Sequence, residues 1–514
     1  MKTDIIIAGA GPTGLSLACQ LIRHNVDFVI LDKKEGITPY SKAIGVQART
    51  LEIYEQINLA QTAIEQGAVA EKVRLIEAGE IRGEVELSSI GEGLSPYPFL
   101  LILEQSKHEQ ILYDFIKAHG KDILWQTELE NFSQNDEGIS ANIKNASGAT
   151  ETIEAKYLVG CDGAKSSVRH TLGLEFAGST FERIFYVADV AIDWKFGHNA
   201  VQICLAQNAL TAFFPMPGEK RYRIVGTFPE EFSKDEGDVL YDEIERQIKE
   251  DTKIELDIKS VNWFSTYKVH TRRVNRFSVG RCFVAGDAAH VHSPAGAQGM
   301  NTGIQDAYNL AWKLALVLKK NAGAKLLETY DEERGENAKH LLETTDRLFQ
   351  FGTSDNLIIA YLRTHVFPYL ANSVLSFDSV KKVIFPRISQ IGIHYRKSSL
   401  SEKGNANFSV KAGDRMPYFL VEGESIYNSL HEAKFHLLIF RSGKDKQTIF
   451  ENKYADLVDV HEAPLYPHIA EIFGAKESFI VLLRPDNYIG FISSADSLED
   501  LEDYLIKVVR LPVS

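Results

Sequence analysis

The chain has 514 residues, of which 44% are hydrophobic and 25% are charged, so it is long enough for roughly two to four domains with sizeable cores. Its formal net charge of −14 repels phosphate backbones and anionic lipid headgroups, which argues against nucleic-acid and membrane partners. The sequence contains no uncharged apolar run of about 18 residues, the length that a transmembrane helix needs.

The first predicted elements form a strand, a helix and a second strand. Residues 4–8 are a short apolar run that predicts a buried parallel strand. Apolar side chains then recur at helical spacing from Thr13 to about His24, and a second apolar run, 28–31, ends at Asp32. This βαβ unit of about thirty residues predicts an α/β fold with a parallel sheet for the first part of the chain.

The loop between this strand and helix carries glycines with separate tasks. Gly9 permits a tight turn, Gly11 lets the backbone approach a pyrophosphate, and Gly14 lets the helix pack closely on the strand. Free N–H groups at the helix N-terminus would face the phosphates, while Asp32 could accept from the adenosine ribose hydroxyls. Together they predict a dinucleotide site but do not distinguish NAD from FAD.

A second motif follows a middle stretch with a helix at 107–118 and polar alternating segments at about 122–156. A buried strand over 157–160 leads to Asp162-Gly163, after which hydroxyl residues could cap a helix. Between about 176 and 274 the sequence changes to short alternating strands, which predict an inserted β-rich layer.

The third motif begins with a buried strand at 282–286, continues through a glycine-rich loop and enters a long helix at about 298–319. The strand would deliver Asp287 to a point where it accepts hydrogen bonds from a polyol chain. The N-terminus of the long helix would stabilise negative charge on a ligand.

The last hundred residues carry their own predicted strands and helices beyond a polar linker at 397–407. They contain no cysteine, so dithiol chemistry is excluded there. The four cysteines of the chain lie far apart and the sequence opens directly into a strand without a signal peptide. We therefore predict a reducing environment and a cytoplasmic location.

The three motifs, in this order and spacing, resemble the para-hydroxybenzoate hydroxylase-type flavoprotein monooxygenases over nearly the whole chain. Within them the sequence is similar to three-domain phenol, polyketide and rifampicin hydroxylases, because 413–417 and 484–486 match their C-terminal segments. The resemblance implies a Rossmann-like FAD-binding domain at 1–175, continued with a helical extension at 275–398. A β-rich substrate-binding domain would be inserted at 176–274, and a thioredoxin-like α/β domain without cysteines would occupy 399–514.

The resemblance also implies which residues bind FAD non-covalently. Thr13 and the glycine loop would hold the pyrophosphate, and Asp162 would serve both FAD and NAD(P)H. Asp32 and Lys42 replace the family's commoner glutamate and arginine without removing a charge. The predicted cofactor-binding set is Gly9, Gly11, Thr13, Gly14, Asp32, Lys33, Lys42, Arg49, Gln105, Leu129, Asp162, Gly286, Asp287, Pro294, Gly299, Met300 and Asn301.

The implied activity is hydroxylation of an aromatic or polyketide-like small molecule with O₂ and NAD(P)H, NADPH being favoured, through a flavin C4a-hydroperoxide. A homodimer is left open. No catalytic base is singled out, and no metal is expected because His290 and His292 lack a third ligand. Aromatic side chains of the inserted layer could line the substrate pocket: Phe185, Phe213, Phe214, Tyr222, Trp263 and Tyr267.

Two other interpretations stay open. A flavin dehydrogenase would oxidise its substrate without substrate-stimulated oxygen consumption. Halogenases of related fold carry a Trp-x-Trp-x-Ile-Pro segment, which the widely separated tryptophans of this chain do not form. A non-catalytic flavoprotein that sequesters a ligand is the second alternative, although intact flavin motifs argue against it.

Overall fold

The computed structural model describes residues 1–39, 43–205, 210–229, 232, 238–293, 296–353, 378–405, 407–443, 454–495 and 498–509. The predicted cofactor residues Lys42 and Pro294 lie outside these ranges. No helix within them is both long and apolar enough to span a bilayer.

The N-terminal part alternates short strands with helices. Its elements are β1 (Ile5–Ala8), α1 (Pro12–Arg23), β2 (Phe28–Leu31), β3 (Gly45–Val46), α2 (Ala48–Glu55), α3 (Ala60–Gln66), β4 (Ala68–Ala70), β5 (Lys72–Glu77), β6 (Glu80–Glu86), β7 (Leu100–Ile102), α4 (Gln105–Ala118), β8 (Ile123–Leu124), β9 (Glu128–Gln134), β10 (Ile139–Lys144), β11 (Thr150–Ala155), β12 (Tyr157–Gly160) and α5 (Ser167–Thr171).

The middle part is mostly strand, and the long helices follow it. The elements are β13 (Phe176–Asp193), β14 (Ala200–Leu205), β15 (Leu210–Pro215), β16 (Arg221–Thr227), α6 (Tyr241–Thr252), β17 (Asp257–Val274), β18 (Ser278–Val279), β19 (Cys282–Val284), β20 (His290–Val291), α7 (Gly299–Leu318), α8 (Glu328–Thr353) and α9 (Asp378–Ile388).

The C-terminal part has a sheet of its own. It comprises β21 (Glu402–Lys403), β22 (Leu420–Val421), β23 (Glu424–Ser425), β24 (Phe435–Arg441), β25 (Val458–Pro464), α10 (Pro467–Phe473), β26 (Phe479–Leu483), β27 (Ile489–Ser494) and α11 (Leu498–Asp503).

A six-stranded sheet forms the centre of the N-terminal part, in the order β18-β19-β12-β1-β2-β8. The strands from β19 to β8 run parallel, and β18 pairs antiparallel with β19. All four residues of β1 are buried, as a strand covered on both faces requires. The predicted α/β class is confirmed, because the βαβ unit does enter a parallel sheet.

An eight-stranded sheet forms the middle layer, in the order β20-β17-β13-β16-β15-β14-β5-β6. The predicted inserted segment, 176–274, supplies β13 to β17, but β5, β6 and β20 come from outside it. β5 enters because it pairs in parallel with β14, with Val73 opposite Val201. The sheet therefore extends beyond the predicted boundaries of the β-rich layer.

The C-terminal sheet consists of β21, β27, β26, β24 and β25 in that order. β24 runs parallel to β25 and antiparallel to β26, and β26 pairs antiparallel with β27. Alternate residues of β24 point to opposite faces, so Phe435 and Leu437 pack with Trp312 of α7 while Leu438 packs with Phe473 of α10. The apolar core thus runs continuously from α7 into the C-terminal sheet.

Candidate active site

The glycine loop after β1 lies directly against the second motif. Gly9 has a positive φ of 102°, and a Cβ atom there would lie 2.4 Å from the carbonyl oxygen of Cys161. A Cβ atom at Gly14 would lie 2.0 Å from the Gly9 carbonyl oxygen. Only glycine fits at either position, because backbone stands where a side chain would begin. The loop is thereby fixed at the C-terminal end of β12.

Thr13 joins the first motif to the third. Its Oγ1 atom would lie 2.4 Å from a Cβ atom at Gly286 and 2.3 Å from a Cβ atom at Gly303. Both glycines therefore leave room for the Thr13 side chain between the turn after β19 and the helix α7. All three motifs meet at the carboxyl ends of β1, β12 and β19, where open parallel sheets bind their ligands.

The start of α1 has the features of a dinucleotide cradle. Its first turn has no side-chain cap, so the orphan N–H groups there stay available to an anion. A Cβ atom at Gly11 would meet nothing within 4 Å, so the backbone borders open space on this side. The predicted pyrophosphate position is consistent with both observations.

Asp32 closes the other side of this loop. One carboxylate oxygen accepts from the Ala10 amide at 2.7 Å and the other from the Lys34 amide at 2.9 Å. A carboxylate has about four acceptor positions, so two remain for ribose hydroxyls. Lys33 is exposed beside it, and the amide of Thr127, two residues before Leu129 in β9, donates to the Asp32 carbonyl at 2.9 Å. The predicted adenosine contacts are thus brought together.

Asp162 caps α5 and keeps one oxygen uncommitted. Its Oδ2 atom accepts from the amides of Ser167 and Val168 at 2.8 and 3.2 Å. Its Oδ1 atom is buried and has no hydrogen-bond partner among the described residues. Ser166 accepts from the Arg169 amide at 2.9 Å, which confirms the predicted hydroxyl cap. A buried acceptor beside the glycine loop suits a hydroxyl or amide of a ligand.

The guanidinium of Arg169 links the second motif to the third, a role the sequence did not predict. Its Nη1 atom donates to the Ala288 carbonyl at 3.1 Å and its Nη2 atom to the Ala164 carbonyl at 2.8 Å. The side chain also lies over the Phe176 ring at 4.0 Å. The only sequence signal for Arg169 was its place in the second motif, which does not indicate a contact with Ala288.

The turn that carries Asp287 is held from beneath by a buried carboxylate. Asp306 Oδ2 accepts from the Gly286 amide at 2.9 Å and faces Nε2 of His290 at 2.8 Å, while Arg334 Nε donates to its Oδ1 at 2.6 Å. Burial would raise the pKa of Asp306, but the charges of Arg334 and His290 outweigh burial and hold it below its ordinary value. Asp287 itself is exposed at the turn.

Asp306 is therefore a residue of the candidate site that the sequence did not reveal. Its helical position, one turn beyond Gly303, was its only sequence signal. The same contact accounts for the position of His290, since its imidazole faces the Asp306 carboxylate. The companion His292 bonds through Nδ1 to the Ser293 carbonyl at 2.8 Å, and burial lowers its pKa to about 4.

Asn301 anchors the N-terminus of α7 with its whole side chain. The amide oxygen accepts from the Gln47 amide at 2.9 Å and from the Thr50 hydroxyl at 2.7 Å. The amide nitrogen donates to the carbonyls of Gly45 and Ala297, both at 2.9 Å. Because these bonds use the whole Asn301 side chain, only the backbone of Asn301 itself stays available to a ligand.

The other predicted residues of this region differ in their surroundings. Gln105 accepts from the Ala43 amide at 3.2 Å and so lies beside the segment that leads into β3. Gly299 lies near His292, and Met300 is half-buried against the core. Gln105 begins α4, and Gly299 and Met300 begin α7.

Several protein groups contact the guanidinium of Arg49. Its Nη1 atom pairs with Glu52 at 3.1 Å and its Nη2 atom donates to the Asp486 carbonyl at 2.9 Å, with the guanidinium over the rings of Tyr308 and Tyr488. The predicted cofactor contact of Arg49 stays a prediction, since its Nε atom is buried without a hydrogen-bond partner among the described residues. Its other partners come from α2, α7 and the C-terminal part.

One face of the eight-stranded sheet looks toward the N-terminal part. Arg221 on this face pairs with Glu104, one residue before α4, at 2.9 Å. Burial tends to raise the pKa of Glu104, but hydrogen bonds from Arg221 and Lys107 hold it below its ordinary value. This ion pair joins the sheet to the residue that precedes α4.

Arg223 lies two residues further along β16 on the same face. It forms two bonds of 2.6 Å with Asp189 and stacks on Trp263, with 5.6 Å to the ring centroid. Its Nη1 atom is buried without a hydrogen-bond partner in the part of the chain that is described. An unsatisfied buried donor on this face is a candidate contact for a bound small molecule.

The predicted aromatic residues divide between the two faces. Phe213 and Tyr222 belong to the core beneath α6, where they are completely or almost completely buried. Phe185 and Tyr267 stack on each other, 5.7 Å apart, and Phe214 packs against the N-terminal part. Phe213 and Tyr222 thus serve the core of the layer, whereas the others stay predicted pocket residues.

Residues 2–345 match the family model described as an FAD binding domain. A flavin-dependent monooxygenase of Mycobacteroides abscessus is 32% identical over 519 residues, covering 98% of this chain and 100% of that protein. A 6-methylpretetramide 4-monooxygenase of Streptomyces rimosus is 33% identical over 415 residues, covering 77% of this chain and 71% of that protein. Among solved structures, the anhydrotetracycline hydroxylase OxyS of Streptomyces rimosus aligns with a TM-score of 0.80 at 26% identity, covering 100% of both chains.

These matches confirm the resemblance drawn from the three motifs. The family model spans the glycine loop, the Asp162 segment and the Asp287 turn, which the structure brings to one sheet edge. The uncapped helix, the open space at Gly11 and the free Asp162 oxygen all suit FAD. The chain belongs to the FAD-dependent monooxygenases of the para-hydroxybenzoate hydroxylase type, the flavoprotein aromatic hydroxylases.

Proposed function

We propose that this enzyme hydroxylates an aromatic or polyketide-like small molecule, using O₂ and NADPH, with FAD held non-covalently where the three motifs meet. The observation that carries the proposal is the position of Thr13 between Gly286 and Gly303, which joins the first motif to the third. A site assembled from three separated segments, all with glycines in contact, suits a long dinucleotide better than a short phosphate ligand.

Bound FAD would accept a hydride from NADPH and transfer one oxygen atom from O₂ to the substrate. The resemblance implies that this transfer follows the C4a-hydroperoxide route. The protein's own residues would bind and orient it. The first amides of α1 and the Gly11 backbone would face the pyrophosphate, Asp32 the adenosine ribose and Asp287 the ribityl chain. Gln105, Lys42, Leu129, Gly299 and Met300 stay predicted contacts, and Asn301 would act by fixing the start of α7.

We propose that the substrate lies between the cofactor loops and the Arg223 face of the eight-stranded sheet. The relatives named above act on a methylpretetramide and an anhydrotetracycline, and we extend ring-containing substrates of this kind to the present enzyme. The buried, unsatisfied Nη1 atom of Arg223 would donate to an oxygen substituent of the ring. Asp189 would hold the guanidinium in position through its two 2.6 Å bonds.

NADPH would bind transiently near Asp162, since the sequence has one glycine-rich βαβ unit and FAD would occupy it. We further propose a cytoplasmic location, which is supported by four buried cysteines without a disulfide. The homodimer stays a prediction.

For the C-terminal part, we propose a thioredoxin-like domain at 399–514, next to an FAD domain at 1–175 and 275–398 and a β-rich domain at 176–274. The order β25-β24-β26-β27, with one parallel and two antiparallel pairs and α10 between β25 and β26, supports this proposal. The domain has no cysteine, so its role would be packing rather than redox chemistry.

The deciding experiment combines cofactor extraction with oxygen accounting. Purified protein should be yellow and release FAD on denaturation, and its NADPH oxidation should rise with a hydroxylatable phenol or polyketide from a panel. Product should carry one atom from ¹⁸O₂. Release of FMN or of no flavin would contradict the cofactor assignment. Substrate oxidation without ¹⁸O uptake would instead favour a dehydrogenase, and halogenated product a halogenase.

A further inference from the structure

Two histidines and an aspartate converge on the C-terminal sheet, away from the cofactor loops. In the parallel pair of β24 and β25, His436 stands opposite Asp459, and Leu438 stands opposite His461. Alternate residues of a strand share a face, so Asp459 and His461 project beside His436. His436 and His461 are 25 positions apart in the sequence.

Three ligand atoms of these side chains surround a common point. His436 Nδ1 lies 3.2 Å from His461 Nε2, and His461 Nε2 lies 3.2 Å from Asp459 Oδ2. His436 Nδ1 and Asp459 Oδ2 are 3.9 Å apart. Tetrahedral ligands with bonds of about 2.0–2.1 Å to zinc stand roughly 3.3 Å from one another. Two of the three separations already fit, and a small rotation of the half-exposed Asp459 side chain would close the third.

A neighbouring carbonyl fixes which nitrogen of His436 faces the cluster. The Nε2 atom lies 3.1 Å from the Glu432 carbonyl oxygen, which can only accept, so Nε2 carries the hydrogen. The Nδ1 atom therefore presents its lone pair to His461 and Asp459. Orientation of a ligating histidine by a backbone carbonyl is the usual outer-shell arrangement in metal sites.

A proton explains this arrangement less well than a cation. A hydrogen on His461 Nε2 can point toward His436 or Asp459, but not fully toward both, although each lies 3.2 Å away. A cation satisfies all three lone pairs at once. We propose that His436, Asp459 and His461 bind a divalent transition-metal ion such as Zn²⁺, whose preferred ligands are imidazole and carboxylate.

The site has a closed side and an open side. The His436 side chain is completely buried, whereas the side chains of His461 and Asp459 are 26% and 38% exposed. The ion would thus enter from solvent and keep a fourth position for water, as three-ligand zinc sites do.

The site is also connected to the nucleotide-binding helix. The Glu432 carbonyl that orients His436 accepts a second bond of 2.9 Å from Arg23, in the last turn of α1. Arg23 donates to the His431 carbonyl as well, at 2.9 Å. A metal that holds His436 would hold this segment against α1, so the ion would stabilise the junction between the C-terminal sheet and α1.

The test uses full-length, FAD-loaded protein prepared without a histidine tag and treated with a chelator. Isothermal titration with Zn²⁺ should give one site per chain at micromolar affinity or better, and the melting temperature should rise with added Zn²⁺. His461→Gln and Asp459→Asn should each weaken binding by about 100-fold or more, because even outer-shell changes cost 10–100-fold.

Two matched controls lie on the same domain outside the cluster. His468→Gln and Asp456→Asn change exposed residues and should leave the titration unchanged. Absence of stoichiometric binding by the wild type would overturn the proposal, and so would equal affinity in the ligand variants and the controls. Because these measurements do not use turnover, their outcome is independent of the proposed hydroxylation.

Discussion

Glu333 of α8 and Arg484 of the C-terminal part form a completely buried ion pair, with Arg484 Nη2 at 3.1 Å from Glu333 Oε2. Lys313 of α7 donates to the same carboxylate at 2.8 Å, and Arg484 also pairs with Asp486. Asp486 in turn accepts from the Trp312 indole at 3.1 Å. The C-terminal part therefore shares a charge network with the helices that follow the FAD loops.

Breaking this pair from one side should be costly. Glu333→Gln leaves Arg484 and Lys313 with less compensation, and we expect the free energy of unfolding to fall by about 3–5 kcal/mol. Urea unfolding followed by tryptophan fluorescence measures the change. The double variant Glu333→Gln with Arg484→Met should lose less than the two single variants added together. Additive losses would show that the pair is not coupled.

Stability should decline with acid partly because of Glu333. Burial would raise its pKa, but Arg484 and Lys313 outweigh burial and hold it well below the ordinary 4.5. A pKa lowered by folding adds stability above the unfolded value, and this stability is lost as the pH falls below it. The melting temperature of the wild type should therefore drop more steeply between pH 5 and 3 than that of Glu333→Gln. Parallel curves would contradict this reading.

Asp306→Asn tests the support beneath the turn that carries Asp287, the proposed ribityl contact. The variant removes the charge opposite Arg334 while keeping an acceptor for Gly286. We expect FAD affinity to fall by about ten- to a hundredfold, the equivalent of a charged hydrogen bond worth 1.5–3 kcal/mol. Quenching of flavin fluorescence by apoprotein measures the dissociation constant. Asp114→Asn, at an exposed position, is the control. An unchanged FAD dissociation constant for Asp306→Asn would show that Asp306 does not support cofactor binding.

Asp287→Ala tests a direct contact with the cofactor. Loss of a carboxylate acceptor for the ribityl hydroxyls should also weaken FAD by about ten- to a hundredfold. Because Asp287 is exposed, apoprotein stability should change little, in contrast to Asp306→Asn. Equal FAD affinity in wild type and Asp287→Ala would remove Asp287 from the binding set.

Arg223→Gln separates substrate binding from cofactor binding. If Nη1 of Arg223 contacts a ring oxygen, KM for the hydroxylated substrate should rise by about ten- to a hundredfold while FAD content stays normal. The exposed Lys220→Gln is the matched control on the preceding turn. Steady-state oxidation of NADPH, the proposed co-substrate, across substrate concentrations gives KM. A variant with unchanged KM and kcat would place the substrate elsewhere.

Features set by local spacing could be predicted from the sequence. The glycine loop, the α5 cap and the long helix after the third motif all depend on residues close in the chain. Local chemistry specified these elements because their partners lie within one or two turns or belong to a recurring motif.

Contacts between distant segments could not be predicted in this way. Arg169 reaches Ala288 over 119 positions, and the guanidinium of Arg49 meets Asp486 over 437 positions. The pairing of β5 with β14 likewise joins strands from different parts of the chain. Nothing in the residue types marks these partners, since a buried arginine next to a motif suits a phosphate and a carbonyl equally well.

The two-residue strand β20 follows the Asp287 turn immediately and pairs with β17, with His290 opposite Arg273. The turn that carries Asp287 is therefore joined by β20 to the edge of the sheet that would hold the substrate. Replacing residues 176–274 with the segment of another hydroxylase, in order to change the substrate of this enzyme, would disrupt the pairing of β20 with β17 and that of β5 with β14. A working chimera should carry 72–86 and 290–291 from the same donor as the sheet.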